Sequence, residues 1–271
     1  MTRLTPERLA ALNGGTEATR NLAECLAIDQ ALLAQSAIPG VGLKQALPRI
    51  LAAHSEVANK GISYQIRAIG MAIAEELRRS KRVAIAGVTE RLQFHASDTV
   101  RSWAVFALTC ADETRSLEDR LHSVRPFAAD SHFGVREWAW MAARPYISGD
   151  IESAVALLQI WTTSTDANIR RFAVESTRPR GVWSEHIARL KAEPGIALPL
   201  LEPLKADHAR YVQDSLANWL NDASKTQPDW VVALCARWAT SEDPSTDRII
   251  KRALRTLQKK SDLAARAARR S

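Results

Sequence analysis

Cysteine is scarce in this chain. Cys25, Cys110 and Cys235 are the three among 271 residues, and they stand far apart, with no metal-ligand, redox or nucleophile spacing. The six histidines, His54, His95, His122, His132, His186 and His208, form no HExxH and no paired motif, and no Gly-rich phosphate loop occurs. No apolar run approaches the roughly 18 residues of a membrane span. The first residues, Met1 to Arg8, lack the apolar core of a secretory signal. The expectations are a reducing cytoplasm, no membrane partner, no metal and no cofactor. Period-2 alternation is also missing, so no strands are expected.

What is present is Ala, Leu, Glu and Arg, with apolar positions recurring at helical spacing almost without a break. At 46% hydrophobic and 25% charged residues, the composition is that of an ordinary water-soluble, all-α protein. Turn chemistry cuts the helical pattern at Pro39-Gly40-Val41-Gly42, Ser148-Gly149-Asp150, Arg178-Pro179-Arg180-Gly181, Glu193-Pro194-Gly195 and Glu242-Asp243-Pro244. Each cut is expected to end a helix.

One phrase returns four times: Asp98-Thr-Val100-Arg101-Ser-Trp103-Ala104, Ser131-His-Phe-Gly-Val135-Arg136-Glu137-Trp138-Ala139, Asp166-Ala-Asn-Ile169-Arg170-Arg171-Phe172-Ala173 and, more loosely, Asp207-His-Ala-Arg-Tyr211-Val212-Gln213-Asp214. The anchors Val100, Val135, Ile169 and Val212 lie 35, 34 and 43 residues apart, the period of stacked HEAT-type helix pairs. The predicted fold class is therefore an all-α, α-α superhelix: a HEAT-like repeat solenoid with a concave groove, formed by residues 1–271 as a single array. Residues 1–96 read as terminal helical units without the phrase, 97–257 carry the repeats, and 258–271 form a basic tail. Pro194, Pro199 and Pro203 mark an insertion that lengthens the third spacing.

The net charge of +7 is unevenly placed. Residues 248–271 hold nine Lys or Arg against Asp262 alone, which leaves the rest of the chain close to neutral. Such a segment attracts polyanions through counterion release, or it forms a solvated helix end.

At about 100° per residue, the small residue four positions after each anchor (Ala104, Ala139, Ala173) shares the anchor's inward face. Arg101, Arg136 and Arg170 flank that core. They are expected to bridge to the aspartate of an adjacent turn as an inter-repeat ladder, with direct ligand contact as the other reading. Glu137, Glu175 and Asp222 fall at roughly 200°, 240° and 280° on the same wheel, one sector of three stacked helices, with Arg171 inside it and Trp103, Trp138 and Phe172 bordering it. Each acid alone would be a solvated helix face. Together they suit a positive charge that must be stabilised, such as a cationic nucleobase or an oxocarbenium-like sugar lying against aromatic rings.

Two segments carry a resemblance. Glu175-Ser-Thr-Arg-Pro-Arg180-Gly-Val-Trp183 resembles the Glu-Gly-Thr-Arg-Pro-Arg-Leu-Pro-Trp motif of AlkC-type DNA alkylation repair enzymes. Tyr211-Val-Gln-Asp-Ser215-Leu-Ala-Asn218-Trp-Leu-Asn221-Asp222-Ala-Ser-Lys225 resembles their Tyr-Val-Arg-x-Ser-Val-Ala-Asn-His-Leu-Asn-Asp-x-x-Lys segment. The resemblance implies a HEAT-like DNA glycosylase of the AlkC/AlkD superfamily. Such an enzyme removes cationic alkylated bases, N3-methyladenine among them, from double-stranded DNA, as a monomer, without cofactor, and with the lesion left stacked.

The resemblance also implies site residues. Glu137, Glu175 and Asp222 would be the lesion-facing acids, with Asp222 or Glu175 the principal one. Arg171 would be a groove arginine, and Trp138, Trp140 and Trp183 would supply ring faces. Arg178, Arg180 and Lys225 would clamp phosphates. Ser176, Gly181-Val182 and Trp219 depart from the family pattern, which bears on lesion specificity. A non-catalytic HEAT-repeat binder of distorted or branched DNA and a protein-interaction scaffold are the competing readings. The acids argue against the binder, and the basic tail and the two motifs argue against the scaffold.

Overall fold

The computed structural model describes residues 4–79, 82–110, 114–181 and 184–259. Trp183 and the tail from residue 260 lie outside the described residues, as do residues 1–3. Among the described residues there is no strand. The α-helices in chain order are α1 (Pro6–Asn13), α2 (Leu22–Ala27), α3 (Gln30–Gly40), α4 (Leu47–Ser55), α5 (Ile62–Arg79), α6 (Arg82–Gln93), α7 (Asp98–Thr109), α8 (Leu117–Ala128) and α9 (Phe133–Gly149). They continue with α10 (Ile151–Gln159), α11 (Ala167–Glu175), α12 (Ala188–Ala192), α13 (Leu198–Leu201), α14 (Arg210–Ala223), α15 (Pro228–Trp238) and α16 (Pro244–Ala253). No helix among the described residues is long and apolar enough to cross a membrane.

Local chemistry sets the helix ends. Thr5, Asn21, Asp29, Ser116, Asp150, Asp166 and Asp243 each accept a backbone N–H two or three residues on, satisfying amides that have no intrahelical partner. The predicted stops hold with one shift. α3 runs through Pro39 to Gly40, and the chain turns at Gly42, whose φ of 94° lies in the left-handed region that glycine tolerates. The predicted insertion is packed rather than looped out: residues 194–204 form short helical turns that bury Ala197, Leu200, Leu201 and Leu204.

The chain forms two compact units, Met1–Ala143 and Arg144–Ser271. In the first, α5 packs against α7 around buried Ile66, Ile69, Ile73, Val100 and Trp103. Gly70 permits the approach, because a Cβ there would lie 2.6 Å from the Phe106 Cβ and 2.7 Å from the Trp103 carbonyl oxygen. Thr19 reaches the repeat turns: its backbone N–H donates to Asp98 (2.7 Å) and its carbonyl accepts from the His132 Nε2 (2.8 Å). His132 is therefore nearly buried, whereas His208 is exposed.

In the second unit α14 lies against both α11 and α16, with Ile169, Phe172, Val212, Leu216, Trp219 and Ile249 in the core. Two of the ring positions read as bordering the acid sector are core residues instead. Trp103 is fully buried with its indole N–H on Gln30 (3.0 Å), and Phe172 packs on Trp161 with ring centroids 5.0 Å apart.

The arginine ladder is present. Arg101 forks onto Asp130 (2.8 and 3.1 Å) and donates to the carbonyls of His95 and Ala96. Arg170 forks onto Asp207 (2.6 and 3.0 Å) and donates to Ser164 and Thr165. Arg136 makes the same backbone contacts, to the carbonyls of Asp130 and Ser131. Gln213, at the arginine position of the fourth phrase, keeps the carbonyl contact, to Asp207 (2.7 Å), and its amide oxygen accepts from Arg248 (3.0 Å). Each arginine thus closes the turn that precedes its own helix, and Arg101 and Arg170 also grip the next turn along the chain.

Candidate active site

α11 and α14 face each other through two polar stripes. Arg171, Glu175 and Arg178 recur at four- and three-residue steps on α11 and the turn after it. Tyr211, Ser215, Asn218, Asp222 and Lys225 do the same on α14 and its end. The stripes meet in a nearly dry cluster: Glu175 is 5% exposed, Asp222 4% and Arg171 8%.

Arg178 is the centre of the cluster. Its Nη1 donates to Glu175 Oε1 (2.8 Å), and its Nε and Nη2 both donate to Asp222 Oδ2 (2.9 and 2.6 Å). The other oxygen of each carboxylate has its own partner. The Ser215 hydroxyl donates to Glu175 Oε2, with Arg171 at 3.6 Å, and Lys225 Nζ donates to Asp222 Oδ1 (2.8 Å). Arg171 in turn lies over the Tyr211 ring, 4.5 Å from its centroid, a cation–π contact that orients the guanidinium.

Burial by itself pushes the Glu175 carboxyl upward. The charges of Arg171 and Arg178, and the bonds from Ser215 and Arg178, outweigh it and hold Glu175 below its ordinary value. Burial likewise pulls Arg178 down, and Glu175 and Asp222 more than restore it. The geometry therefore keeps a buried carboxylate ionised, which is the condition for stabilising a developing cation.

A second layer fixes the turn that carries this cluster. Arg144, 2% exposed, donates to the carbonyls of Ser176 (2.9 Å), Arg178 (2.6 Å) and Glu185 (3.1 Å). Burial, and then repulsion from Arg178, bring its pKa down to about 10. Gly181 makes room for it, since a Cβ there would come within 2.9 Å of the Arg144 guanidinium carbon. Trp219 is fully buried and donates its indole N–H to the Thr177 carbonyl (3.0 Å), bracing the same turn from α14.

The sequence-derived site residues are thus distributed as follows. Glu175, Asp222, Arg171, Arg178 and Lys225 are brought together in the second unit. Arg178 and Lys225, expected on phosphates, are bonded to the two carboxylates. Arg180 is partly exposed, with its Nε buried and making no hydrogen bond. Glu137, Trp138 and Trp140 belong to the first unit. There Glu137 Oε2 accepts the Trp140 indole N–H (2.7 Å), Trp140 is 3% exposed, and Trp138 packs on Phe106 with ring centroids 6.2 Å apart.

Ser215, Tyr211 and Arg144 were missed. The first two share the helical spacing of Asp222 on α14, a signal that was legible. Arg144 carries none, because it acts on backbone carbonyls.

No family model matches the chain. It is 39% identical over 145 residues to the uncharacterized protein YhaZ of Bacillus subtilis, a stretch that is 54% of this chain and 40% of that protein. Among solved structures, the Pseudomonas fluorescens alkylpurine DNA glycosylase AlkC, bound to DNA containing an abasic site analog, superposes with a TM-score of 0.68 at 24% identity. That match covers 88% of this chain and 65% of AlkC. AlkD2 from Streptococcus mutans superposes at 0.58 with 20% identity, over 77% of this chain and 97% of AlkD2. The chain spans less than two thirds of the length of YhaZ and of AlkC. It has the all-helical fold of the AlkC and AlkD proteins.

Proposed function

We propose that the chain is a monofunctional DNA glycosylase that hydrolyses the N-glycosidic bond of cationic alkylated bases, N3-methyladenine among them, in duplex DNA, acting as a cytoplasmic monomer without a cofactor. The observation that carries this reading is the pair Glu175 and Asp222, two buried carboxylates tied by one arginine and facing each other from adjacent helices. The fold shared with a glycosylase bound to abasic-site DNA supports it.

An alkylated purine with a formal positive charge leaves as a neutral base, so the bond breaks without prior protonation. The charge that remains passes to the deoxyribose as an oxocarbenium-like centre. A preorganised carboxylate stabilises that centre more than it stabilises the neutral sugar, which is the differential binding that lowers a barrier. Asp222 is the better placed of the two for substrate. Its Oδ1 is held by Lys225, whose side chain is 40% exposed and can swing into solvent, whereas both oxygens of Glu175 are held by buried groups. Asp222 would then face the sugar and orient the attacking water, with Glu175 fixing Arg178 behind it. Within the second unit Trp183 is assigned to the base and Arg180 to the DNA, while Arg171 stays beside Glu175.

The saturation of both carboxylates by cations also supports a second reading, a non-catalytic grip on distorted or branched DNA, because the cluster bears no net negative charge. Chromatography of bases freed from methylated duplex DNA decides between the two. The glycosylase reading expects release of N3-methyladenine by the wild type and at least a hundredfold slower release by Asp222→Asn. Salt-sensitive DNA binding with no base released would sink it in favour of the binder.

A further inference from the structure

A row of cations runs beside the carboxylate pair. Arg248, Arg252, Arg255 and Lys259 recur at four- and three-residue steps along α16 and the helical residues that follow it. The first two are matched: Arg248 pairs with Asp214 (2.6 Å) and Arg252 with the same carboxylate (3.1 Å). Arg255 differs. Its guanidinium donates to the Asn218 amide oxygen (2.9 Å) and to the Arg252 carbonyl (2.5 Å), both neutral, and no carboxylate of the described residues lies within 4.0 Å of it. Asn218 stands one helical turn before Asp222 on α14, so this fork is propped next to the cluster. Burial, and then the charges of Arg252 and Arg178, press the Arg255 pKa below its usual value, with Asp222 acting the other way.

We infer that Arg255, propped by Asn218, binds a backbone phosphate of the DNA strand that passes the Glu175–Asp222 pair. This rests on the DNA reading proposed above. Within the cluster Arg171, Arg178 and Lys225 already match the two carboxylates, so Arg255 is surplus positive charge at its edge. An incoming anion relieves that surplus. A guanidinium fork fits phosphate oxygens in a bidentate manner, and Asn218 fixes the fork in advance of binding, which lowers the ordering cost. Such a contact sets the position of the duplex and carries no sequence preference. It also reassigns the phosphate contact within this unit: Arg178 and Lys225 hold the acids, and Arg255 holds the strand.

The test is duplex DNA binding by the full chain, followed by fluorescence anisotropy over a series of salt concentrations. For Arg255→Gln the expected result is affinity about tenfold lower at low salt. The slope of log affinity against log salt should be shallower by about 0.9, equally for duplexes of unrelated sequence. Asn218→Ala moves both quantities the same way by less. Arg189→Gln, which removes a cation paired with Glu152 and Glu193, leaves both unchanged. Wild-type affinity and slope in Arg255→Gln, with a wild type that binds DNA in a salt-sensitive way, overturns the inference and leaves the DNA reading standing. A wild type that does not bind duplex DNA overturns both.

Discussion

Arg178 donates twice to Asp222 Oδ2, at 2.9 and 2.6 Å, from a turn 44 residues away in the chain, and the same guanidinium holds Glu175 Oε1 at 2.8 Å. Two like charges are thereby kept together in a nearly dry setting. Arg178→Gln should strand both, and breaking a buried pair from one side costs about 3–5 kcal/mol. Urea denaturation of the variant should report a loss of that size. Arg178→Lys, which restores the charge without the fork, should recover only part of it. A loss under about 1 kcal/mol would mean the cluster is wetter than its burial indicates.

Glu175 gives the pH dependence. Its pKa lies below the ordinary 4.5 in the folded chain, so its stabilisation is fully present above about that pH and is lost as the pH falls through the folded value. The urea midpoint should hold from neutrality toward pH 5 and then decline, and Glu175→Gln should flatten that decline. Ser215→Ala removes one of the bonds that hold the value down. In that variant the decline should still begin near the same pH but be smaller and level off at higher pH, and an unchanged profile would show that the hydroxyl has no such effect.

In the first unit, Glu137 satisfies the Trp140 indole N–H at 2.7 Å. Glu137→Ala should leave a buried donor unpaired, at about 1–3 kcal/mol, while Glu137→Gln keeps an acceptor in place and should cost less. The two variants separate packing from catalysis. If the negative charge matters for base release, Glu137→Gln is slow yet stable; equal rates for Glu137→Gln and wild type remove the charge from the mechanism.

The ladder pair Arg170 and Asp207 is buried, with side chains 7% and 4% exposed, whereas Arg189 and Glu152 are 51% and 59% exposed. Double-mutant cycles should give a coupling of about 2–3 kcal/mol for the first pair and under about 1 kcal/mol for the second. Similar couplings for both would show that burial does not decide the strength of these bridges.

Much of the fold is legible in the amino-acid order, and the reason is local. Asp150, Asp166 and Asp243 announce helix starts because each bonds amides within three residues, and Gly42 ends a helix through its own backbone freedom. The ladder was readable for a related reason: Arg101 and Arg170 repeat the same step from their anchors, and their partners repeat with them. The ring positions misled, because Trp103 and Phe172 share a wheel angle with Trp138 yet are packed beneath α3 and against Trp161. A wheel gives direction around one axis and says nothing of what lies opposite.

What the residue order determined by itself is the all-helical class, the repeat period, and the placement of Glu175 and Asp222 on helix faces, since each follows from interactions spanning a few positions. Tertiary structure alone decided that Arg178 and Lys225 neutralise those acids, that Arg144 locks their turn through carbonyls, and that no carboxylate of the described residues pairs with Arg255. Which charges cancel depends on the approach of α11, α14 and α16 to within hydrogen-bond reach. Coulombic pairing in a water-poor interior is set by such distances rather than by neighbourhood along the chain.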